Sequence, residues 1–114
     1  MKIVELYDTN QRERKFAFDS MWDRFALELV DGEFAEYAIH NVKENATVSL
    51  ELYCESDAEI ILYQDGKEIG QILIKKTDRL YMTNPIKLLA ADSSRIRVEV
   101  RSGKIIMETV CFEA

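Results

Sequence analysis

DGEFAEYAIHNVKENATVSLELYCESDAEIILYQDGKEIG, residues 31–70, decides the fold. Apolar and polar residues alternate through it in short runs broken by turn residues, the pattern of half-buried strands. Phe34 to Val42 puts Ala35, Tyr37 and Ile39 on one face and Phe34, Glu36, Ala38 and His40 on the other. The first set is the candidate core. Lys43 to Asn45 is a polar turn. Thr47 to Cys54 alternates most cleanly, with Val48, Leu50, Leu52 and Cys54 inward and Thr47, Ser49, Glu51 and Tyr53 outward. Glu55 to Asp57 turns again. Ala58 to Gln64 and Lys67 to Lys75 then flank Asp65-Gly66, a hairpin signal because glycine accepts positive φ without a Cβ penalty.

The flanks continue the pattern. Lys2 to Tyr7 reads as a short first strand, Asp8 to Arg14 as a polar turn, and Lys15 to Asp19 as a strand with Phe16 and Phe18 on one face. Ser20 to Val30 fits either period; a strand from Arg24 to Val30 is favoured because Asp31-Gly32 supplies the turn after it. Lys76 to Arg79 is a charged loop. Leu80 to Leu88 contains Asn84-Pro85, which marks an edge or a break, since proline donates no ladder hydrogen bond. Ala90 to Ser94 reads as a turn. Arg95 to Arg101 alternates with Ile96, Val98 and Val100 inward, Ser102-Gly103 turns, and Lys104 to Phe112 is the last strand. Strands at this spacing imply one all-β domain over residues 1–114, a jelly-roll β-sandwich of two antiparallel sheets with little helix.

Composition bounds the function. The 114 residues suit a single domain, 47% apolar content supports a core, and the net charge is −6. That acidity argues against nucleic acid, whose recognition relies on clustered Lys and Arg, and against an anionic membrane surface. No apolar run is long enough for a transmembrane helix. The first residues lack the apolar stretch of a signal peptide, so a cytoplasmic chain or a domain of a longer, secreted protein is expected.

Cys54 and Cys111 fit no zinc spacing, and His40 is the sole histidine. Buried, reduced thiols are the default reading, with one inter-strand disulfide as the alternative. No Gly-x-Ser-x-Gly, His-Glu-x-x-His or phosphate loop is present, and no pair among the 21 acids stands out as a glycosidase dyad. A non-catalytic chain is expected.

In this setting the order of several segments resembles family 6 and family 35 carbohydrate-binding modules. Gly32-Glu33-Phe34-Ala35-Glu36-Tyr37 is similar to their Gly-Asp-Trp-Val-Glu-Tyr segment, and Leu62 to Gly70 to their Val-Tyr-Val-Asp-Gly-Lys hairpin. Leu80-Tyr81-Met82-Thr83 stands where those modules carry a Trp-containing strand. Lys87 to Val98 resembles their Leu-Pro-Ala-Gly-x-His-x-Ile-x-Leu turn, and Met107 to Glu113 their closing strand. The resemblance spans about three-quarters of the chain. It implies a galactose-binding-like sandwich that binds an oligo- or polysaccharide, as an accessory domain of a glycoside hydrolase.

The resemblance implies sugar platforms at Phe34 and Tyr81, with Glu36 as a polar partner; a sugar's C–H face stacks on an aromatic face while polar groups fix its orientation. It also implies a structural Ca2+ with Glu5 and Glu108 among its ligands. Where the family places a sugar-bonding Asn before the closing strand, this sequence has Ile106.

Blander roles are open for each residue. Phe34 can pack under a loop or a neighbouring domain, Tyr81 can be a half-buried edge aromatic, and Tyr53 can serve cross-strand pairing. Trp22 suits a plug at one end of the core, and His40 an exposed strand position. Arg95, Arg97 and Arg101, with Glu99 among them, suit a solvated charged face. The alternative for the whole chain is a packing or oligomerisation domain of a larger protein that binds no sugar.

Overall fold

The computed structural model describes the backbone of residues 2–3, 6–9, 13–19, 22–77 and 79–113, and side chains from Leu27 onward except at position 78. The strands are β1 (Lys2–Ile3), β2 (Leu6–Thr9), β3 (Glu13–Asp19), β4 (Trp22–Val30), β5 (Phe34–Val42), β6 (Thr47–Tyr53), β7 (Ala58–Gln64), β8 (Lys67–Ile74), β9 (Tyr81–Met82), β10 (Ile86–Lys87), β11 (Ala91–Ser102) and β12 (Lys104–Glu113). Among the described residues they form two antiparallel sheets. The first runs β10-β6-β12-β4-β3, with β1 added to β12 and β9 to β6; the second runs β2-β5-β11-β7-β8. No helix of the described chain is long and apolar enough to cross a membrane.

From β5 onward the chain passes repeatedly from one sheet to the other, so inward residues of both sheets meet in one core. Ala35 stands opposite Val98, and Val98 opposite Leu62, in the second sheet. Leu50 faces Val110, and Leu52 faces Met107, in the first. These side chains are all buried. The alternation expected for β5, β6 and β11 is therefore the alternation observed. Strand register is strongly specified here because a slip of one residue would turn each apolar set to solvent. The Asp65-Gly66 hairpin also forms, with φ of 51° and 82°, the doubly positive pair that matches strand twist in a two-residue turn.

Four expectations are corrected. Lys2 to Tyr7 is not one strand: β1 pairs with β12 in the first sheet and β2 with β5 in the second. The polar stretch from Asp8 to Arg14 is not all turn, since Asp8 and Thr9 extend β2 and Glu13 and Arg14 open β3. The strand expected from Arg24 begins at Trp22. Ala90 to Ser94 is not a turn; β11 begins at Ala91, where Ala91 pairs with Val42 and Ser93 with His40. Its polar side chains read as loop, but the ladder needs only backbone groups, and β5 supplies them. Trp22 lies in β4, and its side chain is outside the described residues.

Cys54 and Cys111 are both buried and free. Burial, reinforced by the Asp57 charge, pushes the Cys54 thiol up to about 11. Burial, with Glu51 and Glu113 adding, also raises Cys111. Neither is poised as a nucleophile, because the thiolate is the reactive form.

Asp65 ties the β7–β8 hairpin to β11. Ser94 Oγ donates to Oδ2 at 2.6 Å, the Arg95 amide donates to Oδ1 at 2.9 Å, and the Asp65 amide donates to the Arg95 carbonyl at 2.9 Å. The Ser94 hydroxyl first, and the Arg95 amide second, hold the carboxyl below its ordinary 3.8. A carboxylate favoured in the folded state stabilises above the unfolded pKa, and that contribution fades as pH falls through the lower folded value. Asp65→Asn is therefore expected to flatten the fall in urea midpoint below about pH 4, the unfolded aspartate range. An acid limb identical to that of the parent would remove Asp65 from acid unfolding.

Candidate functional site

The outward face of the second sheet carries Phe34 and Glu36. Register places Phe34 opposite Glu99 and Glu36 opposite Arg97. The Arg97 guanidinium carbon lies 4.0 Å from the centre of the Phe34 ring, a cation–π contact, while Arg97 Nε donates to Glu36 Oε2 at 3.2 Å. Arg95 also reaches Glu36, at 3.7 Å. Phe34 and Glu36 are thus brought together through one arginine, which occupies a face of the aromatic ring. A shallow cavity of about 330 Å3 adjoins them, lined by Glu36, Tyr63, Gly66, Arg95, Arg97 and Glu99.

Tyr81 stands elsewhere. It lies in β9 of the first sheet, opposite Leu52, and is 43% exposed. It lines a larger cavity of about 640 Å3, formed between β8 and residues 75–77, 79–81 and 83–86 and including Ile72, Leu73, Asn84 and Ile86. β11 and β7 separate β5 from β8, a lateral distance of roughly 14 Å at ~4.8 Å per strand. Neither cavity is lined by both Phe34 and Tyr81.

The wall carrying Tyr81 is fixed at two threonines. The Cys54 amide donates to Thr77 Oγ1 at 2.8 Å and the Thr77 amide to the Cys54 carbonyl at 2.9 Å. The Leu50 amide donates to Thr83 Oγ1 at 2.9 Å and the Thr83 amide to the Leu50 carbonyl at 2.9 Å. Each threonine thus offers the backbone of β6 or of Cys54 just after it one amide donor and one hydroxyl acceptor, as a paired strand residue would. Further along, Gln64 is buried; its amide nitrogen donates to the Leu89 carbonyl and its oxygen accepts from the Leu89 amide, both at 2.8 Å. Gly70 lets β8 and β10 approach, since a Cβ there would lie 2.9 Å from Ile86 Cδ1. Sequence reasoning missed Thr77 and Thr83 as organisers of this wall, and Gln64 as the tie between β7 and the segment before β11. A polar residue ending or following a strand was the available signal, and it does not name its partner.

Ile106 is half-buried on the outward face of the first sheet, opposite both Tyr53 and Glu28. Its apolar side chain offers a sugar hydroxyl no hydrogen bond. His40 is exposed near the end of β5. Glu5 lies outside the described residues. Glu108 is half-buried at the bulge that shifts the β12–β6 register between Met107 and Thr109. Among the described residues no group of three or more His, Cys, Asp or Glu side chains gathers in a metal-binding arrangement. Calcium takes ~6–8 oxygen ligands, so Glu108 with the described residues makes no complete site.

No protein-family model and no curated protein sequence matches the chain. Solved structures do. The C-terminal CBM6 of LamC, a marine laminarinase from Zobellia galactanivorans, superposes with a TM-score of 0.77 at 12% identity, over 100% of this chain and 98% of that one. A family 35 carbohydrate-binding module from an environmental isolate gives 0.75 at 10% identity, over 97% and 88%. The carbohydrate-binding module CBM36 in complex with calcium and xylotriose gives 0.64 at 13% identity, over 96% and 93%. The chain carries the antiparallel β-sandwich fold of carbohydrate-binding modules of families 6, 35 and 36.

Proposed function

We propose that this chain is a non-catalytic module that binds an oligo- or polysaccharide, as an accessory domain of a glycoside hydrolase. The observation that carries this reading is the cavity of about 640 Å3 walled by Tyr81. It combines an accessible aromatic ring, aliphatic side chains and the Asn84 amide, the mixture that holds a sugar's apolar face and bonds its hydroxyls. Phe34 and Glu36 form a second candidate contact, at which a sugar would displace or join Arg97. The modular fold shared with carbohydrate-binding modules is consistent with this reading, and function still rests on the site.

Titration calorimetry against xylo-, cello- and laminari-oligosaccharides tests it. Tyr81→Ala is expected to weaken binding about tenfold, near 1.4 kcal/mol, the scale of one aromatic contact. Phe34→Ala, measured in parallel, locates any second contact. Full affinity in both variants would place the sugar elsewhere, and no binding by the folded parent to these or to acidic polysaccharides would reject the reading.

A calcium ion held by Glu5 and Glu108 belongs to the same proposal, supported by the calcium complex of the CBM36 neighbour. Calcium is then expected to raise Tm through ligand linkage, and Glu108→Gln to reduce the rise. An equal Tm in calcium and in chelator would remove the ion.

A second reading is a packing or oligomerisation surface. It is favoured by Leu73, 77% exposed at the same cavity, and by Met82 and Leu89, 40% and 53% exposed. A molar mass that doubles with concentration in light scattering, and reverts in Leu73→Lys, would establish it.

A further inference from the structure

We infer that the saccharide taken by the Tyr81 cavity is anionic, bearing carboxylate or sulfate groups; this rests on the sugar-binding reading of that cavity. The chain is acidic, with a net charge of −6, yet residues 75–79 read Lys-Lys-Thr-Asp-Arg, three cations to one acid. Lys75, Lys76 and Arg79 all line the cavity, and no carboxylate does so among the described residues.

The arginines of β11 show the contrast. On β11, Arg95 and Arg97 engage Glu36, Arg97 also reaches Glu99, and Arg101 pairs with Glu59. Among the described residues at the cavity only Lys75 has such a partner, Asp57 at 3.5 Å, with the lysine side chain 92% exposed. The second Asp57 oxygen accepts the Lys76 backbone amide rather than the Lys76 ammonium. Lys76 and Arg79 form no ion pair with a described residue.

Positive charge that no described carboxylate compensates, beside an aromatic wall in an otherwise acidic molecule, is the arrangement that recognises an acidic sugar. Arg79 can present two parallel N–H donors to a carboxylate or sulfate, Lys76 adds a mobile point charge, and Tyr81 supplies the stacking face. Asn84 has both a donor and an acceptor for the hydroxyls that neutral and acidic sugars share.

Affinity electrophoresis and calorimetry would use polygalacturonate against its methyl-esterified form, and carrageenan against agarose. Each pair keeps its backbone class and changes the charge. The expected result is binding about tenfold tighter to one charged member than to its neutral counterpart, reduced about tenfold in Lys76→Gln/Arg79→Gln and weakened by salt. The first pair identifies carboxylate and the second sulfate. Lys43→Gln, on the β5–β6 turn, is expected to change nothing. Equal affinity for charged and neutral members, or tight charged binding that survives the double substitution, overturns the inference and leaves the sugar-binding reading standing. Failure of every saccharide, neutral oligosaccharides included, overturns both.

Discussion

Gly103→Ala is expected to cost about 3 kcal/mol of unfolding free energy, whereas Gly66→Ala costs about 1 kcal/mol. Both glycines have positive φ, 88° at Gly103 and 82° at Gly66, so both replacements meet a similar backbone penalty. Their surroundings differ. A Cβ on Gly66 would meet nothing within 4 Å. A Cβ on Gly103 would lie 2.6 Å from the Asp57 carbonyl oxygen, 3.0 Å from Ala58 Cα and 3.1 Å from Ala58 Cβ.

Those neighbours cannot easily withdraw. Ala58 is buried and opens β7, and the Asp57 carboxylate accepts the Lys76 amide that begins the cavity wall. The turn between β11 and β12 is thus packed against the turn that enters β7. Urea denaturation checks the pair: both midpoints fall at constant m, and the Gly103 midpoint falls further. Equal losses would mean that the close approach contributes nothing beyond the backbone conformation.

The contrast between these glycines shows what the sequence can and cannot express. Both were legible as turns, because Asp-Gly and Ser-Gly between alternating runs are local signals. That Gly103 touches a second turn is a tertiary fact with no local signature. The same division runs through the fold. Val48, Leu50 and Leu52 declared an inward face by period, and they are buried. The bulge at Glu108 left no such mark, although it shifts parity so that Ile105 and Met107 face inward before it and Val110 and Phe112 after it.

The candidate site divides in the same way. Phe34 and Glu36 share a face because they are two residues apart in one strand. Alternation says which face a residue takes, but not which sheet its strand joins. Phe34 and Tyr81 could therefore be named as platforms from sequence while their placement in different sheets could not. Likewise the charged stretch 76–79 was visible as a loop, but the position of Lys76 and Arg79 on a cavity wall depends on Thr77 meeting Cys54 and Thr83 meeting β6.

Thr83→Val is expected to cost about 2 kcal/mol and to weaken saccharide binding as well, because it removes a buried acceptor from the wall that carries Tyr81. Thr83 is 3% exposed and Leu50 is 0% exposed. Valine matches the shape of threonine, so the main chemical change is loss of the oxygen that accepts the Leu50 amide at 2.9 Å. That buried amide then loses its partner, and an unsatisfied buried donor incurs the full desolvation cost. The reciprocal bond from the Thr83 amide to the Leu50 carbonyl remains, so the wall loosens rather than detaches. Thr83→Ser keeps the oxygen and sacrifices only a methyl group, so it should hold the Leu50 amide better than valine does. Hydrogen exchange separates the cases: Leu50 protection falls in Thr83→Val and is retained in Thr83→Ser. If the valine variant matches the parent in stability and Leu50 protection, the hydroxyl is not what holds the wall, and the position of Tyr81 must rest on the β6–β9 pairing and the remaining bonds of residues 77 and 83.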